Sequence, residues 1–240
     1  GQSSFAQHAI AYADNAVVVD PSLDLTLLGP FGCGFQNGAG TVLNVLQPGT
    51  DDSLVVYGAG AVGLAALAAA SGAGVRNLVV CDRAGAIHQY RPERMNWAKA
   101  YVARETNKDQ RKGSLRQMLE GADVFIGLSS GDIVDGDMIR SMAEDPIVFA
   151  LAVPTPEVLP DVAREAGARV VATGRSDFPN TMDVSLVFPG VFRGLLDSGA
   201  RSIRLRMMIY AAQALAGMVQ DGDLHADHIV PHIFDFRVAP

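Results

Sequence analysis

Short apolar runs recur along the chain between stretches that carry charge, and their spacing sets the reading. Leu54–Tyr57, Leu78–Cys81, Val124–Leu128, Ile147–Ala152 and Val170–Thr173 are rich in β-branched and aromatic residues. Such runs are expected of strands buried on both faces. Helical patterns lie between them. Ala61–Ala70 has no helix breaker after Gly63. Pro92 suits a first helical turn, with Met95, Ala98 and Val102 on one apolar face up to about Glu105. Ser114 and Gln117 form a capping box for Leu115–Glu120. Asp137–Ala143 and a segment near Asp161–Ala166 read as short helices. Ser198–Val219 reads as one long helix with Ile203, Met207, Tyr210, Ala214 and Met218 on one side. Strand and helix in alternation predict an α/β fold: a doubly wound parallel sheet in three αβα layers. Upstream, Phe5–Tyr12 and Ala16–Val19 read as strands, and Ala39–Leu46 as a helix ended by Pro48-Gly49. The expected organisation is an N-terminal appendage, residues 1–48, and a main domain, residues 49–240. Unpaired edges on the 5–19 strands, or the 198–219 helix, point to a homodimer.

The first strand and helix enclose Gly58-Ala59-Gly60-Ala61-Val62-Gly63, which fits G-x-G-x-x-G. Gly58 permits the turn out of the strand, Gly60 lets backbone amides approach a pyrophosphate, and Gly63 lets the helix press on the sheet. A helix beginning at Ala61-Val62 would aim its positive end at phosphate. The second run ends in Asp82, 22 residues after Gly60, where an acidic side chain takes the ribose hydroxyls of adenosine. Together these predict a Rossmann-type unit holding a dinucleotide. Arg83 could meet a 2′-phosphate, but Asp82 repels one, so NAD is expected over NADP. Ligands of such sheets bind outside the carboxyl ends of the strands, which puts Ser129, Ser130, Val153, Gly174 and Arg175 around the cofactor trough.

Composition narrows the setting. Leu54–Val75 carries no charge over 22 residues, long enough for a membrane span of about 20. Its glycines sit at turn positions and its flanks read as strands, so no membrane role is expected. A net charge of −7 without a basic stripe argues against nucleic acid. Two cysteines, Cys33 and Cys81, make no disulfide framework. No charged-then-apolar leader opens the chain, and the cytoplasm is the expected location. Gly1 in place of Met is expected of a trimmed chain. Pro231 separates His232 from His225 and His228 on any helix, so no metal site is expected there. Arg175 and Asp177 are expected to form a structural pair.

Two resemblances follow from particular stretches. GQSSFA (1–6), LLGPFGCGFQNGAGTVLNVLQPG (27–49) and VYGAGAVGLAA (56–66) resemble the zinc-type medium-chain aryl-alcohol dehydrogenases. That likeness implies a zinc-ligand ancestry for Cys33, whose partner ligands would come from a preceding domain. RNLVVCDRAGAI (76–87), GADVFIGLS (121–129), VVATGRSDFPN (170–180), FPGVFRGLLD (188–197) and IVPHIFDFRV (229–238) resemble the NAD-binding domain of malic enzymes. Residues 1–75 thus follow one family and 76–240 another, as in a chimera joined between about residues 63 and 76.

The malic-enzyme resemblance implies that the loop at Ser129 borders the dinucleotide and that the loop after Ala152 lies close to the nicotinamide. It also implies asparagines touching malate where this chain has Val153 and Val184, and a lysine base, a tyrosine acid and metal carboxylates from a preceding domain. None of Lys99, Lys108 and Lys112 occupies a candidate site in this reading. Catalytic residues are therefore left unassigned. The expectation is an NAD-binding Rossmann protein, a chimeric or truncated dehydrogenase without a complete catalytic set. The alternatives are an active oxidoreductase of either parent type and a partner-binding regulator on the same fold.

Overall fold

A computed structural model describes residues 49, 51–58, 66–67, 70–71, 74–183, 186, 188–199, 205–235 and 237–238. The expected strands at 5–19, the helix at 39–46, Cys33, Gly60–Gly63 and Val184 lie outside them.

Six strands form one sheet in the order β3-β2-β1-β4-β5-β6: β1 (Ser53–Tyr57), β2 (Asn77–Asp82), β3 (Gly85–Ala86), β4 (Val124–Gly127), β5 (Ile147–Ala150) and β6 (Val170–Thr173). All pair in parallel except β3, which runs antiparallel to β2. The strand order reverses between β1 and β4, so the fold is a doubly wound α/β sheet of Rossmann type. The five strands predicted between Leu54 and Thr173 are each present within two residues. β3 is too short for any periodicity to reveal it.

Side-chain alternation divides the core into two layers. Leu54, Val56, Leu78, Val80, Val124, Ile126 and Phe149 face one side, with Ala66, Leu67, Ala70, Val102 and Leu215 packed over them. Val55, Val79, Phe125, Val148 and Val171 face the other, under Leu115, Met118, Leu119, Met138 and Ile139. Phe125 and Phe149 are wholly buried on opposite faces, and each such ring contributes about 1.5–3 kcal/mol of transfer free energy.

The helices are α1 (Trp97–Glu105), α2 (Leu115–Leu119), α3 (Gly136–Arg140), α4 (Pro160–Glu165), α5 (Phe188–Asp197) and α6 (Leu205–Ala216). Ala66, Leu67, Ala70 and Ser71 are also helical. The Ser114–Gln117 capping box forms as predicted. α1 starts five residues later than Pro92 suggests. Arg94 sits at a positive φ of 52°, incompatible with a continuing helix, and the Asn96 side chain caps the Lys99 N–H at 2.9 Å. Within the span predicted as one long helix, Ser198–Val219, the described helix is α6, and α5 precedes it as an element the sequence reading did not give. Ser198 closes the last turn of α5 by donating to the Gly194 carbonyl at 3.0 Å. Among the described side chains of α6 the buried ones are Ala212 and Leu215, while Tyr210 and Ala214 are exposed.

The GRSDFPN stretch is largely a fastening. Asn180, buried and at φ 55°, donates through Nδ2 to the Val171 and Ala226 carbonyls at 3.0 and 2.7 Å. Its Oδ1 accepts from the Ile229 N–H at 3.0 Å, tying residues 226–229 to β6. Asn180→Asp turns both donor contacts into oxygen facing oxygen. Urea unfolding is expected to show a loss of about 2–3 kcal/mol, and an unchanged midpoint would show that this fastening carries no stability.

Candidate functional site

Because every strand but β3 is parallel and buried, polar groups gather at the carboxyl ends of the strands. The turn out of β1 opens there. Gly58 has φ +126°, and a Cβ on it would meet the Leu128 carbonyl oxygen at 2.8 Å, so only glycine fits. Its N–H donates to the Cys81 carbonyl at 2.9 Å, and the Leu128 N–H donates to the Tyr57 carbonyl at 2.9 Å. The ends of β2, β1 and β4 are thereby drawn together.

A cleft of about 200 Å³ opens on this junction, lined by Gly58, Asp82, Arg83, Arg94, Lys99 and Ser129. Four of the sequence-derived site residues, Gly58, Asp82, Arg83 and Ser129, are brought to one place. Gly60, Ala61, Val62 and Gly63 lie outside the described residues. Val153, at the end of β5, is 66% exposed and does not line this cleft; it follows in chain the carboxyl end of the strand beside β4.

Asp82 is not the bare carboxylate that the sequence suggests. Its Oδ1 accepts from the Ala84 N–H at 2.8 Å and from Arg91 Nη1 at 2.9 Å. Its Oδ2 accepts from Arg91 Nη2 at 2.5 Å and from Lys99 Nζ at 2.6 Å. These four donors fill the roughly four lone-pair positions of a carboxylate. Burial pushes the acid up, but the hydrogen bonds from Arg91, Lys99 and Ala84 outweigh it and hold the group at about 2. Arg91 is itself buried. Lys99 is the more exposed of the two cations.

Lys99 corrects the expectation that no lysine occupies a candidate site. It reaches Asp82 because β3 folds the chain back beside β2 and α1 then passes over the end of that strand. Arg91, Arg94 and Lys99 are missed by sequence reasoning for this reason, their only signal being a cluster of cations shortly after Asp82.

Glu157 is missed as well. It is wholly buried, and its two oxygens accept from the Ser129 and Ala152 N–H groups, each at 3.0 Å. Its signal is a charged residue inside the otherwise uncharged run Ile147–Pro160. Arg175 pairs with Asp177 and lies over the Phe178 ring at 5.0 Å, the structural arrangement expected of it. His225 and His228 approach through their backbones in a short antiparallel bridge, while His232 stacks on Phe234. Among the described residues no three His, Cys, Asp or Glu side chains come together as metal ligands, and no helix is long and apolar enough to cross a membrane.

The profile of the family "Malic enzyme, NAD binding domain" matches residues 44–239. A bifunctional malic/malolactic enzyme of Bacillus subtilis is 50% identical over 187 residues, covering 78% of this chain and 46% of that protein. An NAD-dependent malic enzyme of Geobacillus stearothermophilus is 45% identical over 188 residues, covering 78% and 39%. The crystal structure of an NAD-dependent malic enzyme from Thermotoga maritima superposes with a TM-score of 0.78 at 38% identity, covering 85% of this chain and 55% of that one. The chain thus spans about half the length, or less, of the relatives it matches. The family match begins at residue 44, upstream of the glycines and of the join expected between 63 and 76. The fold, the convergence at the β1–β4 junction and the family match agree: the chain belongs to the malic enzyme family through its NAD-binding domain, and NAD is the cofactor of this domain.

Proposed function

We propose that this chain is the dinucleotide-holding part of a malic-type dehydrogenase, able to bind NAD but lacking a complete set of catalytic groups of its own. The observation that carries this reading is the meeting of Gly58, Asp82, Arg83 and Ser129 in one cleft at the strand-order reversal. The residues fit the cofactor. Gly58 leaves the turn open, and Asp82 stays ionised and offers acceptors to a ribose once Lys99 moves aside. When bound, NAD supplies the hydride acceptor.

In this reading the adenosine ribose is held at Asp82 and the pyrophosphate over Gly60, Ala61, Val62 and Gly63. Ser129 borders the middle of the cofactor, and Val153 lies toward its nicotinamide. Arg83, Arg94 and Lys99 flank Asp82, so a 2′-phosphate meets less repulsion than an unpaired carboxylate would exert, and the preference for NAD over NADP is modest. The alcohol-dehydrogenase likeness of residues 1–75 and a join between about residues 63 and 76 remain part of the proposal. So do an appendage at residues 1–48 and a cytoplasmic location. A homodimer is proposed as well, and scattering that stays strictly monomeric at high concentration would count against it.

The second reading, active oxidation of malate, meets a chemical obstacle. Valines stand where the resemblance puts malate-contacting asparagines, and valine neither donates nor accepts a hydrogen bond. Positioned acid–base groups contribute about a hundred- to ten-thousand-fold each, and Val153 supplies none.

Calorimetry tests the binding site. Gly60→Val is expected to abolish NAD binding by blocking the amides, and Asp82→Ala to weaken NAD and narrow the gap to NADP. Unchanged affinity in both variants would sink the assignment. For turnover, the 240-residue chain with malate and manganese is expected to form no NADH by absorbance. Val153→Asn combined with Val184→Asn should not restore it, since neither substitution adds a base or a metal ligand. Manganese-dependent NADH production by the unaltered chain would overturn this half of the proposal.

A further inference from the structure

Glu157 is the one wholly buried acidic side chain among the described residues, and its position is specific. Oε1 accepts from the N–H of Ser129, a residue lining the cleft, at 3.0 Å. Oε2 accepts from the N–H of Ala152, which immediately precedes Val153, at 3.0 Å. Each oxygen thus holds one of the two loops that leave β4 and β5. The Glu157 backbone carbonyl accepts from the Ile133 and Val134 N–H groups, both at 3.0 Å, and the Asp132 N–H donates to the Pro156 carbonyl at 3.0 Å. The carboxylate lies against the end of β4, where a Cβ on Gly127 would come within 2.4 Å of its Cδ. It has no cationic partner among the described residues; its donors are backbone N–H groups.

A buried carboxylate without a counter-ion is costly, and a neutral side chain would fill the space more cheaply. What the ionised form uniquely supplies is an acceptor on each of two oxygens. We propose that Glu157 is a positioning residue for the dinucleotide: its ionised carboxylate clips the loop carrying Ser129 to the loop carrying Val153, and so sets the middle and nicotinamide portions of the site. A proton on either oxygen places an O–H donor against an N–H donor and releases one loop. The clip is therefore closed when Glu157 is ionised and half-open when it is protonated. Burial pushes the Glu157 acid up, against the lowering effect of the Ser129, Ala152 and Glu157 N–H groups. The titratable side chain of β1 that its charge reaches is Tyr57, and residues 59–65 contain no ionisable side chain.

The sign follows by linkage. Cofactor binding favours the ionised clip, so NADH affinity rises as pH increases through the raised titration of Glu157. Fold stability moves the other way, because the native state holds that proton more tightly than the unfolded chain. Asp82, held at about 2, stays charged throughout and contributes no pH dependence in that range.

The inference rests on the NAD-binding reading above, and NADH fluorescence titrations from acid to neutral pH separate the two. The unaltered chain is expected to bind NADH about tenfold more weakly with Glu157 protonated, the loss of about one charge-assisted hydrogen bond. Glu157→Gln, which mimics the protonated form with one acceptor and an opposed donor, should bind weakly at every pH with a flat profile. Its melting temperature should gain on that of the unaltered chain as pH rises. Carbon-13 NMR of the glutamate carboxyls gives a second readout on the unaltered chain: the elevated titration should move to lower pH when NADH is bound. No NADH binding at any pH would sink the functional reading and this inference with it. Binding whose pH profile is flat, or is shared by Glu157→Gln, would overturn this inference alone. So would a carboxyl titration that NADH does not move, which is the result to look for if the variant fails to fold.

Discussion

Parallel pairing of β1 with both β2 and β4, under helices on both faces, is the constraint on which the rest of this structure depends. A strand buried on both sides can carry only apolar side chains along its length, and Leu54–Tyr57 does so without exception. Polar chemistry is thereby displaced to the strand ends. In a doubly wound sheet the carboxyl ends open beside the reversal of strand order. Gly58, pressed against the Leu128 carbonyl, marks the point where that packing requirement and the site meet.

Two carboxylates at these ends are treated in opposite ways. Asp82 is surrounded by Arg91, Lys99 and a backbone N–H, and hydrogen bonding keeps it charged despite burial. Glu157 has backbone donors but no cation, and burial dominates. One is a fixed charge facing a cleft rich in cations. The other is a buried group whose ionisation is coupled to the placement of two loops. The difference lies in the partners that the fold delivers, since both residues follow buried strands and both accept backbone hydrogen bonds.

Cations fill the Asp82 acceptors because a two-residue antiparallel strand turns the chain back across the end of β2. In a carboxylate with no spare lone pair, ligand binding is an exchange rather than an addition. In the proposed complex the free energy of taking a ribose is then set partly by what Lys99 loses, and the half-buried Lys99 loses less than the buried Arg91 would. In the proposed complex the same cations would soften the discrimination that an acidic residue at this position exerts against a 2′-phosphate.

Much of the framework was legible in the chain alone. The buried strands announce themselves as apolar runs, because a residue covered on both faces has no polar option. The capping box at Ser114 is local chemistry, and it forms as read. Gly58 and Asp82 follow from the glycine spacing and the strand that ends 22 residues after Gly60. Three things were decided only by tertiary structure. Helix α5 was not read from the sequence, because glycines at 190 and 194 interrupt Phe188–Asp197 and weaken its helical signal. The approach of Arg91 and Lys99 to Asp82 depends on a strand too short to have a period. Glu157 stands out in sequence only as a lone charge in an apolar run, and its role is hidden because its partners are backbone N–H groups 28 and 5 residues away. Periodicity reports which face of an element is buried. It does not report which distant backbone will need an acceptor, and that is settled only when the loops meet.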